Sequence, residues 1–381
     1  MSLDEVLKQF NLKNVIIEQI DSGLLLREEK TGPRILYVEP TLKCNLNCIM
    51  CFRRGIKEPF GDMSPETFDR ILANARECNV EFIWFGGWGE PLVHPLIFDF
   101  IEKTKNAGIG VGINTNGTLL TPEVTEKIIE LGVDHIVVSS DAATHETYAK
   151  IRGEKLTTVL EALDYILRLQ KKIGLSKPRI SFLFTSMINN ITELPNLLYT
   201  AKKHGATTVI VSNVIPTCEE MVNYTVYTNH KIADTLSEVI RKVSIAIFDI
   251  GIRVILPKFD LRTERRCLFI ENSSATITWD GKVVPCHNFI HSYTSYIYGF
   301  KKEIKQVSFG NINEEKLSDI WWKRDYLIFR WKVRHFSFPS CIDCELKDYC
   351  SWRSTNEMDC WGNSPSCAEC LYGRGIVQCM V

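Results

Sequence analysis

The chain has 381 residues, 45% of them hydrophobic and 24% charged, and its formal net charge is −1. Those are values of an ordinary globular protein, and a charge so close to zero removes any electrostatic reason to expect nucleic acid or an anionic membrane as partner. No apolar run approaches the roughly 18 residues that a spanning helix requires, and the N-terminal MSLDEVLKQFNL reads as a short amphipathic helix without the apolar core of a signal peptide, so the expected location is cytoplasmic.

Residues 1–33 read as a separate small element. From residue 34 short apolar runs alternate with helical patterns. RILYVEP, EFIWFGG, GIGVGINTNG, VDHIVVSSD, RISFLFTSM and TTVIVSNVIP each read as a buried strand, near-continuously apolar as parallel strands are. Helix starts lie between them: Ser64 before Pro65 in SPETF, and Thr121 opening TPEVTEKIIELG, which ends at Gly132. Six strand–helix units in series predict a parallel α/β fold with right-handed crossovers. A doubly wound sheet satisfies the same pattern. A partial (β/α)6 TIM-like barrel fits better, because the chemistry-bearing residues fall at the C-terminal ends of several strands. This barrel is assigned to residues 34–228. A connecting helix at 229–250 and a strand near GIRVILP fill residues 229–266. Residues 267–381 are short on helical periodicity and rich in Cys and Trp, and Asp280-Gly281 in TITWDGKVVPC is a hairpin signal.

Fourteen cysteines are many for a reducing compartment. Three sit at 44–51, Cys78 and Cys218 stand alone and read as buried apolar thiols, and nine fall between Cys267 and Cys379. Clustered Cys in such a compartment bind metal more often than they form disulfides. KCNLNCIMCFRR holds Cys44, Cys48 and Cys51 on one tight loop, and no fourth Cys or His stands within twenty residues on either side. Three thiolates can hold three irons of a cubane cluster and leave the fourth open for a ligand. A zinc site completed by a distant residue is the alternative.

The CxxxCxxC pattern after the first strand resembles the signature of radical S-adenosylmethionine (radical SAM) enzymes. The following strand ends FGGWGEP, the next NTNGT, and the next VVSSDAATHETYAKIRG, each similar to that superfamily's wording. The resemblance implies a [4Fe-4S] cluster on Cys44, Cys48 and Cys51. S-adenosyl-L-methionine would bind it, with Gly86, Gly87, Gly89 and Glu90 meeting the methionine amino group. Glycines suit this because they let backbone approach closely, and a carboxylate accepts from an ammonium; Glu90 as a mere helix cap is the competing reading. By the same resemblance Asn114, Asn116, Ser139 and Asp141 contact cofactor or substrate, and Arg152 pairs with the cofactor carboxylate. Where the family often has an adenine-stacking aromatic, this chain has Met50, which can pack through its polarisable sulfur. The implied reaction is reductive cleavage of S-adenosylmethionine to methionine and a 5′-deoxyadenosyl radical that takes hydrogen from substrate, with the electron supplied by a low-potential donor such as ferredoxin or flavodoxin. No acid–base pair is needed, so His94, His135 and His204 read as structural.

Cys267, Cys286 in GKVVPC, and Cys341, Cys344 and Cys350 in CIDCELKDYC resemble the SPASM extension, which holds one or two auxiliary [4Fe-4S] clusters. Where that pattern repeats a Cys, this chain has Ser354; Cys360, Cys367, Cys370 and Cys379 follow. Spacing does not reveal which thiol of the nine is spare, and zinc ribbons are the alternative. The ending CWGNSPSCAECLYGRGIVQCM is similar to that of radical SAM/SPASM proteins tied to maturation of tungsten-cofactor oxidoreductases, with Met380 in place of a Pro. That resemblance implies a tungsten-containing oxidoreductase or its cofactor as partner. Two other readings stand beside it: a maturase of a ribosomal precursor peptide, for which 33 preceding residues are too few for a full leader-binding domain, and a zinc-stapled binding protein without catalysis.

Overall fold

The computed structural model describes the strands Val15–Ile20 (β1) and Gly23–Glu28 (β2), residues 32–56 and residues 58–378. The expected N-terminal helix, Cys379 and Met380 lie outside the described residues. β1 and β2 form an antiparallel hairpin within the first element.

Six parallel strands follow: β3 (Ile35–Val38), β4 (Phe82–Phe85), β5 (Gly110–Thr115), β6 (His135–Ser139), β7 (Arg179–Ser186) and β8 (Ala206–Asn213). Each coincides with one of the expected apolar runs. Leu36, Val38, Ile83, Phe85, Val111, Ile113, Ile136, Val138, Phe182 and Val209 are fully buried in one core, which helices on the outer face complete. Chain chemistry sets the helix starts: the Ser64 hydroxyl accepts from Thr67 N at 3.1 Å ahead of the helix Pro65–Glu77, and Thr121 accepts from Val124 N at 3.3 Å ahead of Pro122–Glu130. Such caps contribute about 1 kcal/mol each. The helix Ala233–Ile250 and strand β9 (Arg253–Ile255), parallel to β8, close that side.

The cysteine-rich segment does not stand apart from this sheet. Its strand β10 (Ser274–Ile277) pairs in parallel with β3, turns at Asp280-Gly281 into the antiparallel β11 (Lys282–Val284), and the order across the sheet is β14-β11-β10-β3-β4-β5-β6-β7-β8-β9, with β14 at Gly310–Asn311. Gly281 has φ +88, the left-handed turn position for which glycine is favoured. A second hairpin, β12 (Tyr293–Ile297) and β13 (Phe300–Ile304), lies beside it. The segment also contains two helices, Leu317–Trp322 and Arg324–Arg334, where little helix was expected. Their apolar residues do not sort onto one face: Leu327, Ile328 and Trp331 are exposed while Arg330 is buried over the Trp321 ring. No described helix is long and apolar enough to cross a membrane.

Candidate active site

The loop after β3 is held from several sides. Thr41 Oγ1 donates to Asp62 at 2.6 Å and accepts from Lys43 N at 3.0 Å. Asn116 Nδ2, at the end of β5, donates to Asn45 Oδ1 at 2.9 Å and approaches Cys44 Sγ at 3.7 Å. Ile49 N donates to Ile151 O at 3.0 Å, and Arg152 Nη1 reaches Cys48 Sγ at 3.9 Å. The three thiols are thereby set at the C-terminal end of the sheet, on the wall of a cavity of about 250 Å³.

Of the residues predicted from sequence, Cys44, Cys48, Met50, Cys51, Gly87, Gly89, Glu90, Asn114, Asn116, Ser139 and Arg152 all line this cavity. Gly86 and Asp141 stand behind it. Asp141 is fully buried and occupied: Oδ2 takes Arg152 Nε at 2.7 Å and Oδ1 takes Thr185 N at 2.7 Å. Arg152 is likewise buried, with its guanidinium divided between Asp141 and Cys48, so it is not a solvated surface charge.

Glu90 caps a short turn and also stands at the cavity wall. Its carboxylate accepts Leu92 N at 3.2 Å as cap of a short 3-10 turn, and it also accepts Thr115 Oγ1 at 2.8 Å and Asn116 N at 2.7 Å at the cavity wall. Burial pushes its pKa up to about 7 against those hydrogen bonds. Two of the glycines before it are also required by packing. A Cβ on Gly89 would lie 2.1 Å from Thr41 O, and one on Gly87 (φ +127) 2.7 Å from the Glu39 carboxylate.

Glu39, which sequence reasoning missed, is fully buried at the end of β3; Oε1 accepts Trp88 N at 3.0 Å and Oε2 meets His291 Nε2 at 2.8 Å. A carboxylate directly after a buried strand, in YVEPT, was the available signal. The cavity also takes Thr185, Ser212 and Asn213 from β7 and β8, and His287, Tyr372 and Gln378 from the C-terminal segment. His94, His135 and His204 line no part of it and bond Met63 O, Ser181 Oγ and Asp164.

These residues fit the cofactors that the motifs imply. The Asn114 amide at the cavity wall is buried with neither its oxygen nor its nitrogen partnered among the described residues, as expected of a group that serves a ligand. Burial pushes the thiols of Cys44 and Cys48 up, Cys48 to about 11 despite Arg152; a bound cation is what would hold them as thiolates.

A second set of thiols lines a small pocket of about 30 Å³: Cys267, Cys286, Cys367 and Cys370 border it together with Phe269, Phe329 and other apolar side chains. Burial pushes Cys267 up to about 12, and Cys286 and Cys367 well above the ordinary thiol range. Cys341, Cys344 and Cys350 follow along one turn-rich stretch, and Cys360 lies near enough to Cys341 for their charges to interact. Cys344 and Cys360 are exposed. Among the described residues no three His, Cys, Asp or Glu side chains converge as they would on a single metal ion. All thirteen described cysteines are free. Cys78 is buried as expected, but Cys218 is exposed, at the entry to a one-turn helix (Glu219–Val222) outside the core.

The sequence profile of the Radical SAM superfamily matches residues 38–187, and that of SPASM, an iron-sulfur cluster-binding domain, matches residues 267–345. The tungsten-containing aldehyde ferredoxin oxidoreductase cofactor-modifying protein of Pyrococcus furiosus is 39% identical over 350 residues, which cover 91% of this chain and 97% of that protein. The AdoMet-dependent heme synthase of Methanosarcina barkeri is 30% identical over 49% of this chain and 52% of its own. Among solved structures, Streptococcus suis SuiB bound to S-adenosylmethionine superposes with a TM-score of 0.60 at 15% identity, over 91% of this chain and 75% of that one; likeness at that identity speaks for the fold. With both profiles matched in order and a relative aligned along almost its whole length, this chain belongs to the radical SAM superfamily and is an iron–sulfur, S-adenosylmethionine-dependent enzyme with a SPASM domain.

Proposed function

We propose that this enzyme reductively cleaves S-adenosylmethionine and uses the resulting radical in maturing a tungsten–pterin oxidoreductase or its cofactor. The observation that carries the tungsten reading is the 39% identity, spread over 97% of its length, to a protein named as modifying such a cofactor. When bound at Cys44, Cys48 and Cys51, the [4Fe-4S] cluster supplies the electron for that cleavage, drawn from a donor of the ferredoxin or flavodoxin class. The chain's own part is positional. Glu90 and the Asn114 amide offer partners for the methionine end of the cofactor, Met50 and Phe52 give apolar surface, and Arg152 holds Cys48.

Two auxiliary clusters complete the assignment. One is held by Cys267, Cys286, Cys367 and Cys370, which share a single pocket. The other is held by Cys341, Cys344, Cys350 and Cys360. The buried group borders the main cavity through His287 and Tyr372, which line both spaces.

The test is anaerobic reconstitution of the full chain. Three cubane clusters bring about twelve irons per chain, and dithionite with S-adenosylmethionine should yield 5′-deoxyadenosine, lost in Cys48→Ala while the fold survives. A Cys48→Ala protein that still made 5′-deoxyadenosine would overturn the assignment. Co-expression with a tungsten oxidoreductase, with and without this chain, tests the finer reading: equal oxidoreductase activity and an unchanged cofactor mass would refute it. Modification of a short precursor peptide instead would establish the peptide-maturase alternative.

A further inference from the structure

His287 stands in the partition between the main cavity and the pocket of four thiols, next in sequence to Cys286, and borders both. Its ring is held edge-to-face by Tyr37, with centroids 4.9 Å apart, and by Phe269 at 5.1 Å. Part of the ring meets the main cavity, while Nε2 is buried and finds no hydrogen-bond partner among the described residues. A buried polar nitrogen left without a partner costs about 1–3 kcal/mol, and rings clamped on two sides do not turn to find one. The thiol pocket beside it is walled mostly by apolar groups, Phe269, Ile270, Pro285, Phe329, Val333 and Phe336 among them, with Tyr372 on the side of the main cavity, and Asn288 Oδ1 there accepts the Tyr293 hydroxyl at 2.9 Å. The four thiols are the sulfur groups that line this pocket with His287.

We infer that His287 donates its Nε2–H to a sulfur of the cluster held by Cys267, Cys286, Cys367 and Cys370, and so sets that cluster's reduction potential. The inference rests on the reading that these four thiols hold a cluster. Hydrogen bonds to the sulfurs are one of the terms that fix such potentials. A donor favours the more negative, reduced state, so it raises the potential. In a mostly apolar pocket, where added negative charge is disfavoured, one donor carries unusual weight. The pocket tuned in this way borders the main cavity through His287 and Tyr372.

The experiment compares wild type, His287→Phe, His287→Leu and His287→Gln as anaerobically reconstituted full chains. Iron per chain, thermal midpoint and the midpoint potential of each cluster, followed by electron paramagnetic resonance during redox titration, are the readouts. The expected result is wild-type iron in all variants, with one cluster shifted to a more negative potential in Phe and Leu and by less in Gln, which keeps a donor. Cys286→Ala identifies that cluster by removing its signal. Unchanged potentials in iron-replete Phe or Leu variants would overturn the inference, as would iron loss in both at unchanged thermal midpoint, which would make His287 a holder of the group. A Cys286→Ala protein with full iron would instead overturn the cluster assignment beneath it.

Discussion

His291 Nε2 and Glu39 Oε2 meet at 2.8 Å, both side chains essentially without solvent exposure, and so join the C-terminal segment to the end of the first barrel strand. The other oxygen of Glu39 holds Trp88 N, and the other nitrogen of His291 faces Glu58 at 3.3 Å. The Glu39–His291 contact, which spans 252 positions, therefore also ties the C-terminal segment to the FGGWGEP turn through Trp88.

Burial works against a charge on His291, but the carboxylates of Glu39 and Glu58 outweigh it and hold the pKa above the ordinary value. For a histidine raised in this way, the stabilisation is fully present below the ordinary value of about 6.5 and is lost as pH rises through the folded value. His291→Phe, which leaves Glu39 without this partner, is expected to destabilise by about 3 kcal/mol at the acidic end, with the loss shrinking as pH rises through the folded value. Thermal midpoints of both proteins across that range decide it. A constant difference would assign the effect to packing on Trp88, 5.2 Å away, and not to charge.

Glu90 is expected to set the pH range for cofactor binding. With its pKa pushed up to about 7 by burial, the carboxylate is progressively neutralised below neutrality. Affinity for S-adenosylmethionine should fall as pH drops through that value, roughly tenfold per unit once below it. In Glu90→Gln the affinity at about pH 8 should drop roughly 10- to 100-fold, the worth of a hydrogen bond to a charged group, and the pH dependence should vanish. Calorimetric titration of the reconstituted chain measures both, and an identical pH slope in the variant would exclude Glu90 as the titrating partner.

Removing the Arg152 guanidinium strands a buried carboxylate. Arg152→Met is expected to cost about 3–5 kcal/mol in urea unfolding, because Asp141 then keeps only Thr185 N as a partner. Arg152→Lys keeps the charge but not the fork, and should fall between the two. A loss below about 1 kcal/mol for the Met variant would mean that Asp141 is protonated or hydrated instead.

Gly89→Ala drives a methyl group to 2.1 Å from Thr41 O and 2.7 Å from Lys43 O, both backbone atoms that cannot swing aside. Destabilisation by about 1–3 kcal/mol and weaker iron retention by the Cys44 loop are expected. Gly55→Ala, whose Cβ would meet nothing nearer than 3.6 Å, serves as the control and should be near neutral. Equal melting of the two variants would contradict this account.

The six strands, the helix caps and the three-thiol loop were legible in the chain because each is written over short spans: apolar runs, Ser64-Pro65, CxxxCxxC. Most of the cavity wall was legible for the same reason, since successive strand ends carry it. What the sequence left open depends on contacts between distant segments. The nine C-terminal thiols look alike in spacing, and only packing brings Cys267 and Cys286 to Cys367 and Cys370. Pairing of β10 with β3 merges the cysteine-rich segment with the barrel sheet, a register that no local pattern specifies. The Glu39–His291 pair, the buried Nε2 of His287 and the exposure of Cys218 were likewise decided by tertiary structure. Periodicity is a property of neighbours in sequence, whereas burial and partnering of single polar groups are properties of neighbours in space.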